Sequence, residues 1–233
     1  MRSVIFILFC IVQLACKKAD PPATPYNTGP VLTGPKKYWL ALGDSYTIGQ
    51  SVATGDRFPT QTANLLKQSG INIDEPYYIA TTGWTTNNLA NAITAQNPAN
   101  HDVVSLLIGV NDQYQTRDTS GYRMRFASLL NKAIQLANGK TDRVFVLSIP
   151  DYSVTPFASQ SDTAQIRKEI DWFNAINSQV TQSYNVAYLD ITPGTRLAKT
   201  NTALLAADGL HPSALEYRNW ANRLAPLMLP VLK

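Results

Sequence analysis

Five short apolar runs, each followed by a longer stretch of helical periodicity, constrain this chain more than any other feature of its sequence. The runs are residues 38–42, 77–80, 103–108, 144–149 and 186–189. The third, Val103-Val104-Ser105-Leu106-Leu107-Ile108, is apolar nearly throughout, as a strand covered on both faces should be. Residues 58–68, 87–96, 122–138, 161–182 and 212–228 read as helices, several ended by a glycine or an Asn-Pro step. Such alternation predicts one α/β domain, a three-layer α/β/α sandwich around a central, mainly parallel five-stranded sheet. A chain of 233 residues, 45% hydrophobic, can bury a core of that size.

In open α/β sheets, ligands bind beyond the carboxyl ends of the strands. Ser45, Gly83 and Asn111 each stand three residues past one of the first three runs, and Asp151 and Tyr152 follow the fourth. The chemistry-bearing residues are therefore expected on a single sheet edge. His101 precedes the third run, which places it at the opposite edge in a structural or surface role.

The N-terminal segment is of another kind. Arg2, an apolar stretch of about a dozen residues and Ala15 describe a secretory signal over residues 1–15. That stretch is shorter than the roughly 20 residues a membrane-spanning helix needs. Ala15-Cys16-Lys17-Lys18 resembles a bacterial lipoprotein cleavage site, with Cys16 as the lipid anchor. Residues 16–36, rich in proline, read as a semi-extended tether, followed by the folded domain at 37–233. The expectation is an exported protein of the cell envelope that meets the membrane through its anchor alone. Removing the signal takes Cys10 with it and leaves Cys16, so neither a disulfide framework nor a cysteine metal site can form. A formal charge of +4 without a basic block gives no basis for nucleic-acid binding.

Three groups carry candidate chemistry. Ser45 lies in Leu42-Gly43-Asp44-Ser45-Tyr46; a serine hydroxyl becomes a nucleophile only beside a positioned base. His211 lies in Asp208-Gly209-Leu210-His211-Pro212, where the spacing lets Asp208 reach one ring nitrogen and leaves the other for Ser45. With His101 at the wrong edge, His211 is the base that remains. Asn111, in Gly109-Val110-Asn111-Asp112, could donate its amide to an oxyanion, and the Gly83 N–H could join it. Each also has an ordinary reading: a helix cap for Ser45, a capping pair for Asp208 and His211, turn residues for Asn111 and Gly83.

Taken together and in this order, the four blocks resemble those of the SGNH, or GDSL, hydrolase family over about residues 37–229. The resemblance implies a flavodoxin-like three-layer fold and ester hydrolysis without metal or other cofactor. It implies Ser45 as nucleophile, His211 as base and Asp208 as its orienting acid. The Ser45 N–H, the Gly83 N–H and the Asn111 amide would form the oxyanion hole. The first block departs from the family in reading Gly-Asp-Ser-Tyr, and Tyr46 is expected to alter pocket shape rather than chemistry. Trp84, Tyr114, Tyr152 and Phe157 fall near the strand ends, where rings could stack on sugar or line an acyl pocket. The favoured substrate is a small ester or a short acyl group on carbohydrate. A lysophospholipase or thioesterase is the alternative, and a non-catalytic surface-binding lipoprotein is the rival of another class, which loss of a block would signal. The oligomeric state is open.

Overall fold

The computed structural model describes residues 30, 32–117 and 119–233. The signal segment, Cys16 and most of the tether lie outside the described residues. The elements in chain order are strands β1 (Thr33–Lys37), β2 (Trp39–Gly43), β3 (Ile71–Ile73), β4 (Tyr77–Ala80), β5 (Val103–Leu107), β6 (Val144–Leu147) and β7 (Ala187–Leu189). The helices are α1 (Ser45–Ile48), α2 (Phe58–Gln68), α3 (Thr86–Gln96), α4 (Val110–Thr116), α5 (Tyr122–Leu136), α6 (Thr163–Ser183), α7 (Thr192–Thr195) and α8 (Ala214–Leu232).

The five expected strands form one wholly parallel sheet in the order β4-β2-β5-β6-β7. Strands β2, β5 and β6 are buried along their whole length, which explains why their sequences run apolar instead of alternating. The chain moves from β2 outward to β4, then returns across β2 to β5 and on to β7. Right-handed crossovers then carry α2 over one face and α3, α5 and α6 over the other. The helix contacts agree: α2 packs on α8, α3 on α5 and α5 on α6. The reversal makes the carboxyl ends of β2 and β5 the topological switch point of the sheet.

Register does the rest. Gly43 pairs with Ala80 on one side and Leu107 on the other. The three strands therefore end level, and the segments carrying Ser45, Gly83 and Asn111 emerge side by side.

One expectation needs correcting. The tether was read as running to residue 36, yet Thr33–Lys37 is a strand that pairs in parallel with β3 as a separate two-stranded sheet. Thr33 N–H donates to the Gly70 carbonyl at 3.0 Å, and Asp74 N–H to the Lys37 carbonyl at 2.9 Å. Gly34 and Pro35 hide this strand in the sequence, because its order comes from a partner far along the chain.

Candidate active site

The turn after β2 exists because residue 43 is glycine. A Cβ there would stand 2.0 Å from Thr47 Oγ1 and 2.4 Å from the Leu107 carbonyl oxygen. Without it, the first turn of α1 folds straight back over the sheet edge. Asp44 caps that turn: its Oδ1 accepts the Tyr46 N–H at 3.0 Å, and its carbonyl accepts the N–H groups of Thr47 and Ile48 at 3.1 Å. Ser45 is the first helical residue, so its own N–H has no intrahelical acceptor.

Asp44 is fully buried, and burial pushes its carboxyl up to about 8. Its Oδ2 has no hydrogen-bond partner among the described residues. Burial favours the neutral form of Asp44 and its Oδ1 is given to the Tyr46 N–H, whereas Asp208 meets the His211 ring, which separates the two acids by physics and not only by motif. Asp112, also buried, is committed elsewhere: it accepts from the Thr86 N–H at 2.8 Å and the Thr86 hydroxyl at 2.6 Å, and it pairs with Arg125 at 3.4 Å.

Asp208 and His211 face each other across a Gly-containing turn. Asp208 Oδ1 accepts the N–H groups of Leu210 and His211, each at 3.0 Å, so the carboxylate organises its own loop. The loop is pinned by an antiparallel bridge between Leu205 and Pro212. Oδ2 accepts His211 Nδ1 at 2.6 Å and the Ser51 hydroxyl at 2.6 Å. Partial burial works against ionisation of Asp208. The donors from Ser51, His211 and Leu210 outweigh it and hold the carboxyl well below its usual range. With Nδ1 donating to a carboxylate, Nε2 is the nitrogen left for proton transfer. The His211 ring is only 6% exposed and tilts against Tyr46, with 5.0 Å between ring centroids.

Ser45, Asn111 and His211 line one pocket of about 90 Å³. Its walls are Tyr46, Val110, Tyr114, Tyr152, Phe157 and Leu210. The rings of Tyr114, Tyr152 and Phe157 lie 6.0 to 6.2 Å apart, pair by pair. Tyr152 is held from behind: its hydroxyl donates to Gln113 Oε1 at 2.9 Å, and Gln113 Nε2 donates to the buried Glu169 at 2.7 Å.

Gly109 starts α4 with φ +128°, and a Cβ there would meet the Tyr122 hydroxyl at 2.1 Å. Helix α4 then grips the neighbouring loop. Asn111 Nδ2 donates to the Trp84 carbonyl and Gln115 Nε2 to the Gly83 carbonyl, both at 3.0 Å. One amide hydrogen of Asn111 is spent on Trp84, and the other remains for a ligand.

The GDSL-like lipase/acylhydrolase family model matches residues 41–218, from within β2 to the first turns of α8. The chain belongs to this family. It is accordingly a hydrolase of the esterase or lipase type. Solved structures share the fold. The lipase/acylhydrolase from Enterococcus faecalis is 18% identical, with 84% of this chain and 97% of that one covered and a TM-score of 0.63. The acetylxylan esterase Axe2 from Geobacillus stearothermophilus is 21% identical, with 87% and 95% covered and a TM-score of 0.56. TesA is 17% identical, with 84% and 99% covered and a TM-score of 0.60. No curated protein matches the sequence.

Within this GDSL-family domain, the sequence-predicted residues fall as follows. Ser45, Asn111 and His211 share the pocket, and Asp208 holds the histidine. Gly83, with φ +81°, sits in the loop tied to Asn111 and Gln115, beside the pocket lining. Tyr114, Tyr152 and Phe157 line the pocket, whereas Trp84 packs against the core and offers its carbonyl to Asn111. Asp151 is no part of the site: it caps the turn at residues 152–154 and pairs with Arg196 at 2.7 Å. His101 lies at the other sheet edge, stacked on Tyr77, with Nδ1 2.8 Å from the Ala99 carbonyl. No group of three or more metal-ligating side chains occurs among the described residues. Tyr46, the departure from the family's first block, lines the pocket against His211. Sequence reasoning missed Ser51, and no local signal marks it, since its partner lies 157 positions away.

Proposed function

We propose that the chain is a serine esterase that works through an acyl-enzyme and removes short acyl groups from carbohydrate or other small esters. The carrying observation is the 2.6 Å Asp208–His211 pair, whose histidine lines the same small pocket as Ser45. In this reading, His211 Nε2 takes the Ser45 proton as Oγ attacks the ester carbonyl carbon. The carbonyl oxygen becomes an oxyanion held by the Ser45 N–H, the Gly83 N–H and the Asn111 amide, each worth about 2.7–4 kcal/mol in the transition state. The C–O bond to the alcohol breaks, and His211 returns the proton to the departing oxygen. Water, deprotonated by the same nitrogen, then releases the acid and restores Ser45.

A pocket of about 90 Å³ walled by four aromatic rings suits a small acyl group better than a long chain. Tyr114 and Phe157, about half exposed, stand at its rim as flat apolar faces for a sugar ring. A panel of p-nitrophenyl esters from acetyl to palmitoyl, together with acetylated xylan oligomers, tests this. The expected result is a kcat/KM highest for acetyl and falling at least about tenfold by octanoyl, since methylenes beyond the pocket's volume enter only by displacing its wall side chains, at about 1–3 kcal/mol. A rate that rises with chain length would favour a lysophospholipase or thioesterase instead.

The same reading includes export and a lipid anchor at Cys16, based on the Ala15-Cys16 site. In cells making the full chain, the protein should partition with membranes and take up labelled palmitate, and Cys16→Ser should abolish the label. Unchanged labelling of the serine variant would sink the anchor assignment.

A further inference from the structure

We propose that Ser51 is a positioning residue for the Asp208–His211 pair, its hydroxyl sharing the carboxylate oxygen that His211 Nδ1 uses. The inference rests on the proposed function and extends the machinery by one residue. Four donors surround the Asp208 carboxylate. Two backbone N–H groups fix Oδ1 from within the loop, and the His211 ring and Ser51 meet on Oδ2. The backbone donors anchor Oδ1, which leaves the aim of Oδ2 to the ring and to Ser51. Ser51, from a segment distant in sequence, is a second donor on Oδ2 and keeps that oxygen aimed at the ring.

The source of this donor matters. Ser51 lies three residues beyond the end of α1, the helix that begins with Ser45. The Gln50 N–H donates to the Ser45 carbonyl at 2.9 Å, and Gln50 Oε1 accepts the Thr82 hydroxyl at 2.8 Å. The segment thus clips the nucleophile helix to the Gly83 loop on one side and to the acid–base loop on the other. Ser51 also adopts φ +68°, a left-handed conformation that costs a side chain other than glycine, asparagine or aspartate. Backbone geometry alone would favour glycine at this position. Serine there makes a 2.6 Å bond into the acid–base pair, and a strained residue held by a contact to the chemistry is the pattern expected of function. The lowering of the Asp208 carboxyl described above has the Ser51 hydroxyl as the foremost of its donors.

The test compares Ser51→Gly and Ser51→Ala with the wild-type full chain on p-nitrophenyl acetate, with Ser45→Ala as the inactive reference. Water can partly replace the lost hydroxyl because Ser51 is exposed. The expected loss is therefore about tenfold in kcat, about 1.4 kcal/mol, with KM within about twofold of wild type. The glycine variant relieves the left-handed backbone, so its unfolding temperature should not fall. The downfield proton resonance of His211 Nδ1 should shift in both variants. The proposal is overturned if Ser51→Gly keeps kcat within about twofold of wild type with that resonance unmoved. It is equally overturned if activity declines only in step with unfolding temperature and KM, which would make Ser51 a loop residue. A wild-type chain without esterase activity would instead defeat the proposed function, so the two failures are distinguishable.

Discussion

Ser45→Ala should abolish turnover of p-nitrophenyl acetate while leaving the fold intact. Removal of the nucleophile in a comparable serine hydrolase costs on the order of 10⁶ in kcat, and the same order is expected here. The substitution deletes one oxygen at the start of a four-residue helix. The cap that holds that helix is Asp44, which is untouched. Ser45 is buried but opens on the pocket, so losing its oxygen enlarges an existing space and leaves no closed cavity, and stability should change by less than about 1 kcal/mol. A small residue of rate above the uncatalysed reaction should persist, because the proposed oxyanion donors remain. Steady-state kinetics beside a thermal melt separates these effects. If the alanine variant keeps more than about a tenth of the wild-type kcat, Ser45 does not form the acyl-enzyme.

Asp208→Asn should lose about 10⁴ in kcat with little change in KM. The side-chain oxygen can still accept the Leu210 and His211 amides, so the loop survives. What changes is the second atom. An NH₂ group in place of Oδ2 would face His211 Nδ1 as a donor, and the ring would have to accept there. The proton would then sit on Nε2, where the base must be free. The variant also loses the carboxylate that stabilises the imidazolium. It should show a distinct pH signature in stability. The folded-state carboxyl lies below its ordinary value of 3.8, so its contribution to stability is full above that value. That contribution is lost as pH falls through the lower folded value. The stability deficit of Asp208→Asn at neutral pH should therefore close in acid, which chemical denaturation at several pH values will read. A deficit that widens in acid would show that Asp208 is not held ionised.

Much of this site is legible in the sequence because the α/β architecture makes position along the chain a proxy for position in space. Once residues 38–42, 77–80 and 103–108 are read as parallel strands, Ser45, Gly83 and Asn111 must emerge from one edge, and the level pairing of Gly43 with Ala80 and Leu107 brings them together. The His211 turn is legible for another reason: Asp208 and His211 are close in sequence, and their pairing needs only a local loop. What escaped depends on partners far along the chain. Strand β1 is ordered by Ile71–Ile73, and nothing within Thr33–Lys37 announces it. The sequence around Asn111 reads as a Gly-x-Asn turn, whereas the structure continues it as helix α4, with Tyr122 against the face of Gly109 where a side chain would stand. Asp151 looked functional by place at a strand end, but its charge is taken by Arg196. Of three acids near the site edge, Asp44, Asp112 and Asp208, the spacing to His211 already singles out the third, and the structure adds the physical reason. Burial favours the neutral form of the first, Arg125 and Thr86 occupy the second, and Ser51 and His211 favour the ionised form of the third.

The central claim is that Ser45, activated by His211, is the atom that takes the acyl group. Labelling with a fluorophosphonate tests it directly, because such probes form a stable bond only with an activated serine in a working oxyanion hole. Peptide mapping by mass spectrometry should find a single adduct on Ser45 in the wild-type chain and none in His211→Ala. An adduct on another residue, or ester turnover without any adduct on Ser45, would contradict the account.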